Sequence, residues 1–374
     1  MSGKRTDFLY LSEPDLIEAG VLDMSRCVDV IEEVFSILSK GDYLMGGPKH
    51  NSHGMGIVFP KETPFPNMPV AGPDRRFVAM PAYLGGRFDV CGVKWYGSNA
   101  ANPPKGLPRS VLTVLLNDKD TGEPLCFMSA NLISAMRTGA VPGVGTRYLS
   151  RKDSEACSVI GCGPINQSCF HGVMSQMKAI KKVLCYDLYE EKSKAFAELA
   201  AKEFGVEAYA AATLEEAMRA GDVITIAASR LKPLILDSTW LKKGVTILLS
   251  GPARGDDALW INSRLVYDHV QLHEAYVEEA IASGNKAEYY AGVIGGQIYT
   301  LIDEDKIQPL EDSVSLGDIV NGKNPGRQNG EENIIFVACG MAVYDVAWGY
   351  DLYKYSLEKG IGTKLNLWNE PLWK

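Results

Sequence analysis

One stretch constrains this chain more than any other: Ser158-Val159-Ile160-Gly161-Cys162-Gly163-Pro164-Ile165-Asn166-Gln167 and its continuation to Asp187. An apolar run ends in two glycines and passes directly into residues with helical spacing. A second apolar run, Lys182 to Tyr186, then stops at an acid. Strand, tight turn, helix and strand form the opening unit of a parallel, doubly wound sheet. Two glycines in such a turn let backbone N–H groups approach a pyrophosphate, and the following helix points its positive end at the same phosphates. The pair alone is also compatible with a turn that binds nothing, and the third glycine of the usual fingerprint is replaced by Asn166-Gln167. With the second strand and Asp187 added, the pattern predicts a dinucleotide held by Gly161, Gly163, Ile165, Asn166, Gln167 and Asp187. A carboxylate at Asp187 suits the ribose hydroxyls of NAD and repels the extra phosphate of NADP, so NAD(H) is the expected form.

The βαβ-like alternation continues through strands at Val206–Tyr209, Val223–Ala227, Val245–Leu249 and Leu265–Tyr267, separated by helical segments. The first part of the chain reads differently. After two helical pieces come strands at Phe77–Leu84, Val90–Tyr96 and Ser110–Leu116, with a hairpin turn onto Pro124–Met128, so a mostly antiparallel sheet is expected there. Residues 44–73 read as a long irregular hairpin. The segment from Ala130 to Leu149 reads as a helix kinked at Pro142. Phe336 to Ala342 is expected to open a long helix running towards Glu358.

With 374 residues the chain can hold two domains. Its formal charge of −8, without a basic run, argues against nucleic acid. No apolar stretch is long enough to span a bilayer, and the N-terminus does not read as a signal peptide. The eight cysteines form no Cys-x-x-Cys pair and the five histidines do not fall at metal-ligand spacing, which points to reduced thiols, no metal and a cytoplasmic location.

Three further stretches carry a family resemblance. The first is Gly92-Val93-Lys94 with Asn102-Pro103-Pro104-Lys105-Gly106-Leu107-Pro108 and the Leu115–Leu125 hairpin. The second is Ala135-Met136-Arg137-Thr138-Gly139-Ala140, leading into the glycine turn. The third is Ala338-Cys339-Gly340-Met341-Ala342-Val343-Tyr344-Asp345. In order and spacing these resemble the ornithine cyclodeaminase/mu-crystallin family. The resemblance implies an α/β chain with a doubly wound Rossmann domain at 139–337. A substrate-binding and dimerisation domain of α+β type would be built from 1–138 and 338–374. It also implies a homodimer, NAD(P) with its nicotinamide in the cleft between domains, and a small amino acid or imino acid as substrate. Ala228, Ser229 and Gly340 complete the expected cofactor contacts.

Two residues are expected to carry the chemistry. Lys94 lies in an apolar strand, where burial would lower its pKa and make it a proton shuttle; the alternative is a lysine whose ammonium reaches solvent. Arg137 matches the family arginine that clamps the substrate carboxylate with two parallel hydrogen bonds; the alternative is a surface ion pair. Met80 and Lys49 are expected at the substrate, with Arg76 a rival to Lys49. Arg109 either reads a second acidic group on the substrate or is a solvated loop arginine.

Departures from the family also inform. Val78 and Pro252 stand where an ornithine cyclodeaminase carries the carboxylates that manage the side-chain amine, and Asp256 and Asp257 lie a few residues beyond Pro252. The expectation is therefore an NAD(H)-dependent oxidoreductase on the C–N bond of an α-amino acid or its imine. A redox-neutral cyclodeaminase and a non-catalytic binding protein are the alternatives.

Overall fold

The computed structural model describes residues 4–228 and 234–373. Two compact units result: Met1–Asp23, Lys40–Arg137 and Met341–Lys374 form one, Met24–Ser39 and Thr138–Gly340 the other.

The first unit is an eight-stranded sheet. Its strands are β1 (Thr6–Leu11), β2 (Tyr43–Met45), β3 (Met55–Val58), β4 (Arg76–Leu84), β5 (Val90–Ser98), β6 (Ser110–Asn117), β7 (Pro124–Ser129) and, from the chain's end, β18 (Thr363–Trp368), ordered β18-β1-β7-β6-β5-β4-β2 with β3 also on β4. All pairings are antiparallel except β1 with β7. Alternation decides the faces. Val78, Met80, Ala82 and Leu84 of β4 are buried with Val90, Gly92, Lys94 and Ser98 of β5, while Phe77, Trp95, Val111 and Phe127 on the opposite face remain exposed. The helix Ala342–Lys359 packs on the buried face, against β4, β5 and β6. It comes so close that a Cβ on Gly92 would lie 2.9 Å from Val346 and 3.0 Å from the Leu115 carbonyl, which is why β5 carries a glycine there. Residues 44–73 form β2, β3 and irregular backbone; Gly54 of this segment lies over Val78 and Met80, where a Cβ would meet the Ala79 carbonyl at 2.7 Å.

The second unit is a parallel sheet. Its strands are β8 (Ala156–Ile160), β9 (Lys182–Tyr186), β10 (Glu207–Ala210), β11 (Val223–Ile226), β13 (Thr246–Leu249), β15 (Arg264–Tyr267), β16 (Val314–Ser315) and β17 (Ile334–Val337); β12 (Leu234–Leu236) and β14 (Ala253–Gly255) pair separately. The order is β10-β9-β8-β11-β13-β17-β15-β16. Every residue of β8, β11, β13 and β17 is buried, the pattern of strands covered on both faces. Strand order reverses between β8 and β11, the switch point at which a doubly wound sheet opens beyond its carboxyl ends. The glycine turn follows β8, at that point.

Two details differ from expectation. The helix Met24–Lys40 groups largely with the second unit, not with 1–138: Ser36 and Ser39 donate to Asn321 and Asp318 at 2.7 and 2.6 Å, and Arg147 pairs with Asp29 at 2.7 Å. Phe336 and Val337 end β17, and the long helix starts only at Ala342. The chain turns between them because Gly340 adopts φ +80° and the Asp268 carboxylate accepts the Cys339 and Gly340 N–H groups at 2.8 and 3.0 Å. Pro142 lies inside the helix Asn131–Leu149, which occupies the segment expected to be helical.

Candidate active site

On the buried face of the first sheet, Lys94 projects from β5 between Met80 of β4 and Val114 of β6, its partners in register. Its Nζ donates to Asp345 Oδ2 at 2.9 Å. Arg137, seven residues into the helix that begins at Asn131, brings Nε to 3.1 Å from the same oxygen, and its Nη2 donates to Ser134 Oγ at 3.4 Å. The side chains of Lys94, Asp345 and Arg137 are 3%, 0% and 8% exposed. Two buried cations thus share one buried carboxylate, leaving one formal positive charge in excess.

Such a cluster is costly unless something balances it. Burial, then the charge of Arg137, pushes the Lys94 ammonium down to about 8, with Asp345 opposing the shift. Burial would raise the Asp345 carboxyl, but the charges and hydrogen bonds of Arg137 and Lys94 hold it below its ordinary value. Asp345 Oδ1 is buried with no hydrogen-bond partner among the described residues, an acceptor in reserve. An anion beside Arg137 and an N–H group at Asp345 would satisfy what the protein leaves open. Asp345 lies within the third family-like stretch, but its role emerges only when the helix brings it back to β5.

Of the other expected substrate residues, one lies at the cluster and the rest do not. Met80 is buried beside Lys94. Lys49 is exposed in the turn after β2, outside the trio. Arg76 and Arg109 converge on Asp74, at 3.3 and 2.7 Å, so Arg109 is an ion-paired arginine whose side chain remains half exposed.

At the glycine turn, Gly161 adopts φ +89°, and a Cβ there would lie 2.9 Å from the Ala227 carbonyl and from Ala228, which is buried. Gly163 is different. It caps the helix Pro164–Gln176 at φ −93°, and a Cβ would meet no atom of the described residues within 4 Å. The fold does not need glycine at that position; a ligand approaching the helix N-terminus does. Asn166 is buried, and its amide donates to the Ile160 and Gly161 carbonyls, both at 2.9 Å. Its amide nitrogen therefore shapes the turn in place of the missing third glycine, while its buried Oδ1 has no partner among the described residues. Ile165 is exposed and Gln167 half-buried in the first turn of the helix. Asp187 follows β9, and its Oδ2 accepts the Cys162 N–H at 2.8 Å, tying the acid to the turn. Ser229 lies outside the described residues. None of the eight cysteines is in a disulfide.

Asp256 and Asp257 each hold a structural partner. Asp256 caps a helix, accepting from Leu259 and Ser238 N–H groups at 2.9 and 2.7 Å, and Asp257 pairs with Lys306 at 2.8 Å.

A parallel sheet with a ligand-ready glycine turn, joined to a unit holding a buried Lys–Asp–Arg cluster, defines a Rossmann-type dinucleotide protein. Residues 21–360 match the model of the ornithine cyclodeaminase/mu-crystallin family, and the chain belongs to that family. It is 27% identical over 371 residues to N-((2S)-2-amino-2-carboxyethyl)-L-glutamate dehydrogenase of Staphylococcus aureus, covering 97% of this chain and 99% of the relative. Among solved structures it resembles Delta(1)-pyrroline-2-carboxylate reductase of Thermococcus litoralis in complex with NADH and L-proline, at TM-score 0.78, 28% identity and 95% and 99% coverage. An archaeal alanine dehydrogenase dimer with bound NAD matches at TM-score 0.78 and 25% identity, covering 97% of this chain and 100% of that one.

Proposed function

We propose that this chain is an NAD(H)-dependent oxidoreductase acting on the C–N bond of an α-amino acid or the corresponding imine. The observation that carries the assignment is the buried trio, with its excess cation and its open carboxylate oxygen. Arg137 holds the substrate carboxylate through charge-assisted hydrogen bonds, and Asp345 Oδ1 accepts from the substrate nitrogen. Lys94, brought near neutrality by burial, takes a proton in the oxidative direction and returns one in the reductive direction. When bound, NAD supplies the hydride acceptor or donor; Gly161, Gly163, Asp187 and the helix N-terminus at Pro164 are the residues suited to hold it. Oxidation gives an imine, which water opens to an oxo acid and an amine or ammonia.

A homodimer in the cytoplasm belongs to the same proposal. Its support is the exposed apolar sheet face bearing Phe77, Trp95, Val111 and Phe127, the free thiols, and the dimeric state named for the alanine dehydrogenase relative. Among the described residues no helix is long and apolar enough to cross a membrane.

The test is a screen of amino acids, and of oxo-acid and amine pairs, at fixed NAD(H). Net change in NADH absorbance supports the assignment. Ammonia release without net NADH change would instead make the chain a cyclodeaminase, and ligand binding with neither would make it a binding protein.

A further inference from the structure

The Lys94 face of the first sheet carries a second cluster of the same construction. No register shift interrupts β5 in its pairing with β4 or β6, so Lys94, Tyr96 and Ser98 point to one face. Ser98 pairs with Arg76 on β4 and with Ser110 on β6, at the far end of that row. There Asp74 accepts from the Ser98 hydroxyl, from Arg109 Nε at 2.7 Å, and lies 3.3 Å from Arg76. Ser98 and Ser110 are themselves 2.9 Å apart. Asp74 adopts φ +51°, left-handed backbone that a residue with a side chain rarely takes, to set its carboxylate between the two guanidinium groups. The arginine side chains are about half exposed, 49% and 51%, whereas that of Asp74 is 13% exposed.

Each end of the row therefore has two cations sharing one carboxylate: Lys94 and Arg137 on Asp345, Arg76 and Arg109 on Asp74. Each end carries one formal positive charge in excess. The backbone positions of Lys94 and Ser98 are about 13 Å apart along the strand, and side chains of arginine length shorten the gap a ligand must bridge. Tyr96 lies between them, its ring 5.6 Å from Lys94 Nζ.

We infer that Arg76 and Arg109 form a second anion site for a carboxylate on the far arm of the substrate, so that the preferred substrate class is a dicarboxylic amino acid or imine. The inference rests on the proposed function for the identity of the first anion, the α-carboxylate at Arg137. Exposure suits this role, because the guanidinium groups keep donors free to exchange water for a carboxylate.

The experiment measures binding to the NAD+-loaded protein of two matched series: 2-amino diacids from aspartate to 2-aminosuberate, and 2-amino monoacids of equal chain length. At the best length the diacid is expected to bind at least 30-fold more tightly. Arg76→Gln combined with Arg109→Gln abolishes that preference while monoacid affinity stays within about twofold. Asp74→Asn, which removes the internal competitor for the two arginines, tightens diacid binding, a gain that loss of a structural ion pair would not produce. No diacid preference at any length, or a preference that survives the double substitution, overturns the inference. Oxidation of monoacids without such a preference overturns it and leaves the redox assignment standing. A diacid preference that vanishes in the double variant, without NAD+ reduction by any acid, supports the second site and removes the redox assignment.

Discussion

Replacing Lys94 by Met separates stability from catalysis. The substitution keeps an apolar chain of similar length and removes one charge from a buried cluster of two cations and one anion, leaving Arg137 and Asp345 as a balanced pair. The folded chain releases the Lys94 proton near pH 8, and the unfolded chain holds it to about 10.5. Between those values the unfolded state binds more protons, so the wild type gains stability as pH rises through the window and is penalised below it. At 1.36 kcal/mol per pH unit, the penalty at pH 7 is about 3 kcal/mol. Lys94→Met should therefore be more stable than the wild type at pH 7, by up to that amount, with the difference vanishing above pH 10.5. Asp345→Asn does the opposite: it leaves two buried cations unbalanced and costs about 3–5 kcal/mol. Catalysis runs against stability. Oxidation by the wild type rises as pH passes about 8, whereas Lys94→Met loses that inflection and about 10²–10⁴ in kcat. Urea unfolding followed by tryptophan emission at pH 7 and 10.5, with kcat against pH, measures both. A Met variant less stable than wild type at pH 7, or shifted equally at both pH values, would refute the electrostatic reasoning.

Arg137→Gln should raise the substrate KM about 100-fold, the worth of losing charge-assisted hydrogen bonds of about 3 kcal/mol, while leaving NADH affinity unchanged; steady-state kinetics and NADH titration separate the two. Gly163→Ala, with open space for its Cβ among the described residues, should cost no more than the roughly 1 kcal/mol of a poorer helix cap, yet bind NADH at least tenfold more weakly, whereas Gly161→Ala, strained at φ +89° and crowded by Ala227 and Ala228, should lose more stability; calorimetry and fluorescence titration decide. Asp187→Ala should weaken NADH binding about tenfold and leave NADPH binding unchanged or tighter, seen in parallel titrations with both nucleotides.

How much of this was legible beforehand depended on whether a residue's partners lie nearby in the chain. Strands of the second unit announce themselves as unbroken apolar runs because both faces are covered, and the two glycines mark the switch point directly. Lys94 stands out in its strand as a charge among apolar neighbours. Asp345 lies in the family-like stretch, yet its carboxylate acquires a role only through Lys94, 251 positions away. The ion pair of Arg109 could not be read without Asp74, 35 positions earlier, nor the turn-shaping part of Asn166 without the carbonyls its amide holds. β1 and the edge strand β18 are not marked in the sequence because they pair with each other across almost the whole chain. The start of the final helix was misplaced because Ala338 to Met341 continue an apolar run, and only the Asp268 carboxylate reveals the turn.

The central claim is hydride exchange at the carbon next to nitrogen, and isotope transfer tests it most directly. The enzyme, NADH deuterated at the transferable position, and the oxo-acid and amine pair found in the screen would be combined for a single turnover, and the product examined by mass spectrometry. The account predicts one deuterium on the α-carbon, and none when Lys94→Met and Arg137→Gln are combined. Product formed without deuterium, or NADH bound and never oxidised with any pair, would contradict it.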